Sequence, residues 1–134
     1  MAKLSLVKTD PEREIDGVWV TYELDIELKI ARIGNTAFDE LVRTLSEPHL
    51  KGIRNKRLKP EQLEAITKKA AAETLLVDWK NIEGEDGKKI KYSSKKALEF
   101  FDDPTLSDMY KFVVVTANEA ELYRQEIDED SVGN

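Results

Sequence analysis

The 134-residue chain has no cysteine, which excludes a disulfide framework and any metal site built on thiolates, and makes a reducing compartment its natural setting. Histidine is almost as scarce. His49 stands alone beside Pro48 in a charged stretch, so a nucleophilic dyad would need another base and a zinc site would need carboxylates for the rest of its shell. His49 therefore reads as a surface residue. Glycine-rich phosphate loops are also missing: Gly84 and Gly87 enclose Glu85 and Asp86, whose carboxylates would repel phosphate. The same turn lacks the regular oxygen ligands and closing glutamate of a calcium loop. No stretch approaches the roughly 18 apolar residues of a membrane span. The opening MAKLSLVKTDPERE carries charges where an export signal needs an apolar run. The expected location is the cytoplasm, with no membrane contact and no cofactor.

What is present is a well-patterned chain with 40% hydrophobic and 36% charged residues, enough to bury one core under a heavily charged surface. The formal charge of −6 favours solubility and argues against nucleic acid as the main partner. The expected organisation is a single α+β domain over residues 1–127 with one core. A small antiparallel hairpin or sheet comes first and a mostly helical part follows. Residues 128–134 have no apolar periodicity and are expected to be a disordered acidic tail.

The clearest local signal runs from Val18 to Ile30, where Val18, Val20, Tyr22, Leu24, Ile26, Leu28 and Ile30 alternate with polar residues and Trp19. This is a half-buried strand, or two strands joined by a bend, entered through the turn dipeptide Asp16-Gly17. The run Lys3–Lys8 is a weaker candidate for its partner strand. Asn35 or Thr36 can cap a helix that carries Phe38, Leu41, Val42 and Leu45 and ends near Ser46, before Pro48. Residues 51–59 read as a loop. Pro60 then starts the longest helix, with Leu63, Ile66, Ala70 and Val77 on one face and an end around Asp78. Glu83–Gly87 is a turn. Ser93 or Ser94 caps a short helix bearing Ala97, Leu98 and Phe101, and Asp103-Pro104 opens another with Leu106, Met109, Tyr110, Val113 and Ala117 on one side. The β-branched run Val113–Thr116 could be a strand and is read as helix. A last helical piece spans residues 119–127.

Carboxylate pairs such as Asp102-Asp103, or Glu83 with Glu85, have no spacing that singles them out for acid–base chemistry; capping and solvation account for them. Lys51, Arg54, Lys56, Arg57 and Lys59 form a basic run without interleaved aromatics for base stacking, so it reads as a solvated loop or a docking surface for an acidic partner. Trp79, after Leu75-Leu76-Val77, reads as a core anchor. Trp19 lies on the otherwise polar strand face: either a helix packs over it, or it belongs to a binding surface.

Leu75-Leu76-Val77-Asp78-Trp79-Lys80-Asn81-Ile82, followed by Asp86-Gly87-Lys88 and Ile90-Lys91-Tyr92-Ser93, resembles the tail assembly chaperones of long-tailed bacteriophages. Ala97, Leu98, Phe100-Phe101 and Asp102-Asp103-Pro104 continue the likeness, as do Tyr110-Lys111-Phe112-Val113 and Ala117-Asn118. At the other end Gly17-Val18-Trp19-Val20, Leu28-Lys29-Ile30-Ala31-Arg32 and Asn35-Thr36-Ala37-Phe38 resemble the same family's opening. The likeness runs from Asp16 to Tyr123, with Lys91 standing where the pattern has proline. It implies a non-catalytic protein of the host cytoplasm that binds the helical tape measure protein and leaves before the virion is complete. Tail tube protein and a second copy of the chain are further partners it allows. The expected protein-binding residues are Trp19, Arg54 and Arg57, with Tyr110 and Tyr123 from the C-terminal part. The competing expectations are a structural virion component, such as a tail completion or head–tail connector subunit, and a small nucleic-acid-associated regulator using the 51–59 loop.

Overall fold

A computed structural model describes residues 1–126; the acidic tail expected over 128–134 lies outside them. The architecture is α+β. Three antiparallel strands, β1 (Val18–Thr21), β2 (Glu27–Ile30) and β3 (Leu76–Lys80), stand in the order β1-β2-β3. The helices are α1 (Pro11–Asp16), α2 (Thr36–Leu50), α3 (Pro60–Thr74), α4 (Ser94–Asp102) and α5 (Ser107–Ala117).

The alternating run resolves into two strands joined by a bend, the second form the pattern allowed. Tyr22 N–H donates to the Ile26 carbonyl at 2.9 Å and Leu24 takes the left-handed conformation at φ 54°. Residues opposite one another across the ladder share a face. Val20, Leu28 and Trp79 form one row and point into the core; Trp19, Lys29 and Asp78 form the next row and point outward. Leu28, Ile30, Leu75, Leu76, Val113 and Ala117 are fully buried in one cluster with Ala70, Ala71, Ala97 and Phe101. Burial of this kind stabilises by about 25 cal/mol per Å² of apolar surface removed from water. Tyr22 stacks at a tilt on Phe112 with centroids 4.9 Å apart, which ties the hairpin turn to α5.

Several boundaries differ from those expected. Lys3–Lys8 is not a partner strand: Leu4–Leu6 is a 3-10 turn with exposed apolar side chains, and only Thr9 forms a bridge, to Arg124. Asp10 caps α1, a helix the pattern does not announce, by accepting from Glu12 N–H at 3.0 Å. Gly17 ends that helix at φ 91°, where a Cβ would lie 3.0 Å from Val77 Cγ2 and 3.2 Å from the Ile30 carbonyl carbon. The dipeptide Asp16-Gly17 thus terminates a helix and lets β1 run close against β2.

Asn35 caps α2 as expected, accepting from Phe38 N–H at 2.9 Å, but the helix passes Ser46 and contains Pro48. A proline in a helix removes one bond to the carbonyl four residues back. Here that carbonyl belongs to exposed Thr44, so water can take the lost donor's place, and only two residues of helix follow. The long helix stops at Thr74 rather than Asp78. Leu76–Lys80 leaves it to pair with β2, with a bulge between Lys29 and Ile30, because pairing with a strand far away in sequence overrides local helical spacing. Leu63, expected on the buried face, is 50% exposed. Ser93 caps α4 by accepting from Lys96 N–H at 3.0 Å. Pro104–Leu106 is a 3-10 turn before α5, where Val113–Thr116 is helical. Among the described residues the last helical piece, expected over 119–127, is a 3-10 turn over Ala120–Tyr123; residue 127 lies outside them.

Candidate protein-binding surface

Trp19 and Trp79 belong to neighbouring rows of one sheet and meet opposite environments. Trp79 is 5% exposed, its Nε1 donates to the Ile90 carbonyl at 2.7 Å, and its ring lies 5.0 Å from Tyr92 edge-on and 5.1 Å from Phe100 in a stack. Tyr92 is held in turn by its hydroxyl, which lies 2.7 Å from the Leu76 carbonyl and 3.1 Å from that of Ala72. Burial pushes the Tyr92 phenol up to about 12, with the Asp78 and Glu73 carboxylates adding to the shift. This is the core anchor the sequence suggests, placed on a strand rather than at a helix end.

Trp19 is half-buried on the outer face. Its cover is cationic: Lys80 Nζ sits 4.0 Å from the ring centroid and Lys29 Nζ 6.0 Å. An ammonium over an indole face is attracted by the ring's quadrupole, by about 0.5–1 kcal/mol at an exposed site. The long lysine stems shield the ring while their charged ends stay in water. Such a cover is removable by rotating two flexible side chains.

The other expected contact residues fall elsewhere. Arg54 and Arg57 are exposed in the loop between α2 and α3, and the run expected to be a loop is one. Because α3 has 15 residues and its far end feeds β3, the loop is displaced from the sheet by the helix length, roughly 22 Å. Tyr110 is half-buried; its ring packs 5.0 Å from Phe101 and lies under Lys68 Nζ at 5.6 Å, beside a shallow groove of about 240 Å³ that also touches Glu64 and Lys111. Its phenol is raised by burial and by the Glu64 carboxylate.

Tyr123 does not belong to the surface. It is fully buried, its hydroxyl donates to the Ile30 carbonyl at 2.9 Å, and Arg32 lies 6.0 Å above its ring. Burial raises its phenol most, with the Arg32 cation opposing. It closes the end of the sheet and has no face left for a partner. The five residues therefore do not converge: Trp19 marks the sheet face, Arg54 and Arg57 the hairpin tip, Tyr110 a helix groove, and Tyr123 the core.

A second basic stretch went unread in the pattern: Lys88, Lys89, Lys91, Lys95 and Lys96 fall within nine residues that contain no carboxylate, and counting charges in short windows would have found it. Among the described residues no cluster of three or more His, Asp or Glu side chains could hold a metal ion, and no helix is long and apolar enough to cross a membrane.

A family model described as YdaY prophage protein matches residues 33–134, about three quarters of the chain. The chain belongs to the YdaY prophage protein family. It is thus phage-derived, and the family description states an origin rather than an activity. No curated protein and no solved structure matches it. The matched span takes in the basic loop, β3 and the C-terminal helices, while β1 and β2, with Trp19 and Lys29, precede it.

Proposed function

We propose that this prophage-family chain is a non-catalytic tail assembly chaperone, which binds the tape measure protein in the host cytoplasm, keeps it soluble while tube subunits assemble, and departs before the virion is finished. The observation that carries the reading is Trp19: a large aromatic on the outward face of a rigid sheet, covered by two lysine side chains rather than by core. Interfaces favour aromatic anchors of this kind, because they bring large contact area at little entropic cost. A helical partner laid across this face would displace the lysines from the ring and bury the indole. Support also comes from the order of motifs between Asp16 and Tyr123, which resembles the tail assembly chaperones, and from the phage origin of the family.

Arg54 and Arg57, with Lys56, lie at the tip of the α2–α3 hairpin. In this reading they steer an acidic stretch of the partner toward the body and act mainly on the association rate. Tyr110 serves as a subsidiary contact at the groove beside α5.

Co-expression with the tape measure protein encoded by the same prophage tests the proposal. A larger soluble fraction of the tape measure protein in the presence of this chain is the expected result. An equally insoluble tape measure protein with and without it would remove the chaperone reading and bring forward a structural role in the virion, for which mass spectrometry of purified particles is the check.

A further inference from the structure

A groove of about 460 Å³ opens between the end of β3 and the segment that crosses it before α4. Lys80, Lys89 and Lys91 surround it, Tyr92 and the edge of Trp79 form its apolar wall, and none of the residues lining it is acidic. In a chain with 27 carboxylates against 21 basic side chains, a groove lined by three lysines and by no acidic residue runs against composition. None of the three belongs to an ion pair among the described residues. In the backbone pattern Glu27 stands opposite Lys80 and Glu83 opposite Lys89, and neither carboxylate forms an ion pair with its lysine.

The fold holds the backbone that carries these lysines in place. Ile90 N–H donates to the Ile82 carbonyl at 2.9 Å, and the Ile90 carbonyl accepts the Trp79 indole, so the backbone at Ile90 is fixed on both sides. In extended chain, neighbours of an inward residue point the other way, which turns Lys89 and Lys91 outward together. Asn81, left-handed at φ 66°, donates from Nδ2 to the Asp25 carbonyl at 2.8 Å and fixes the β3 end against the β1–β2 turn. Lys80 also covers Trp19, so the groove and the aromatic face share a residue.

We propose that this groove binds an acidic peptide segment of a partner protein through Lys80, Lys89 and Lys91. A peptide fits better than nucleic acid on two counts. The Trp79 ring in the groove wall is packed between Phe100 and Tyr92 and is not free for base stacking, whereas single strands are held largely by such stacking. A net charge of −6 repels a long polyanion, while a short acidic peptide meets only the local field, which reaches about 8–10 Å at physiological salt. This inference does not need the tape measure reading, and the two can fail separately.

Titration of the whole chain with hexaglutamate and, separately, with an oligothymidylate of equal charge tests it, followed by the fluorescence of the two tryptophans. Hexaglutamate should bind at about 20 mM salt and weaken as salt rises. Lys89→Gln with Lys91→Gln should lower its affinity at least about fivefold, whereas Lys3→Gln with Lys8→Gln, outside the groove, should leave it within about twofold. Melting curves of both double variants should overlay the parent's, because all four side chains are exposed. No hexaglutamate binding at low salt, equal losses in the two double variants, or tighter binding of oligothymidylate through the same lysines would each overturn the proposal.

Discussion

The two tryptophans give the most direct comparison within this molecule. They belong to strands of one sheet, and pleat parity separates their fates: Trp79 shares its row with Leu28 and Val20, Trp19 with Lys29 and Asp78. Trp79 is enclosed by Tyr92 and Phe100 and satisfies its indole N–H on a backbone carbonyl. Trp19 carries the side chains of Lys29 and Lys80 over its ring and stands outside the core cluster. The same residue type thus serves the fold on one face and remains usable for contact on the other. Substitutions that leave the fold intact while changing binding should therefore cluster on the outer face.

The largest expected effect is at the packed end of the comparison. Trp79→Ala empties a site walled by two aromatic rings and should cost about 3–5 kcal/mol. A denaturation midpoint that does not move would mean that the aromatic cluster contributes nothing to the core. Next comes Gly17→Ala, which forces a side chain into φ 91° and against Val77 and the Ile30 backbone; about 1–3 kcal/mol should be lost. Equal melting temperatures for the two proteins would show that the approach of β1 to β2 is slack.

Tyr92→Phe removes a hydroxyl that engages two backbone carbonyls and should cost about 1 kcal/mol at neutral pH. The same phenol sharpens the comparison through pH. Its folded value of about 12 lies above the ordinary 10.0, so the folded chain holds the proton more tightly than the unfolded one. That contribution is complete below pH 10 and disappears as pH rises toward 12. Urea unfolding between pH 9 and pH 12 should therefore show a steeper alkaline decline for the parent than for Tyr92→Phe, and parallel curves would contradict the assignment. Trp19→Ala should have the smallest effect on stability, under about 1 kcal/mol, because a removable lysine cover is all it loses.

Sequence pattern and structure agree where the signal is local and diverge where it is not. Alternation from Val18 to Ile30 marks the hairpin because every second side chain is buried against one core. Asn35, Pro60 and Ser93 announce helix starts because caps act on the next turn alone. Leu76–Asp78 reads as helix in the sequence because its partner strand lies some 50 residues earlier, and no local pattern records that pairing. Tyr123 looked like surface for a similar reason: the Ile30 carbonyl that accepts its hydroxyl is 93 residues away in the chain. Of the expected contact residues, the polar-face position of Trp19 and the exposed loop around Arg54 and Arg57 were legible. The lysine cover over Trp19 was not, since it depends on which strand stands beside which. The basic stretch from Lys88 to Lys96 was legible in charge alone.

In the proposed complex the outer sheet face, led by Trp19, holds the partner while the basic loop only assists. The measurement closest to it is the affinity of a soluble tape measure protein fragment for three versions of the chain: parent, Trp19→Ala, and Lys56→Gln with Lys59→Gln. Trp19→Ala should weaken binding by about tenfold or more at unchanged fold, as anchor truncations of about 2 kcal/mol do. The loop variant should lose only a few-fold, and mainly in the association rate. Binding untouched by Trp19→Ala, or a larger loss in the loop variant, would contradict the account and move the contact from the sheet to the hairpin tip.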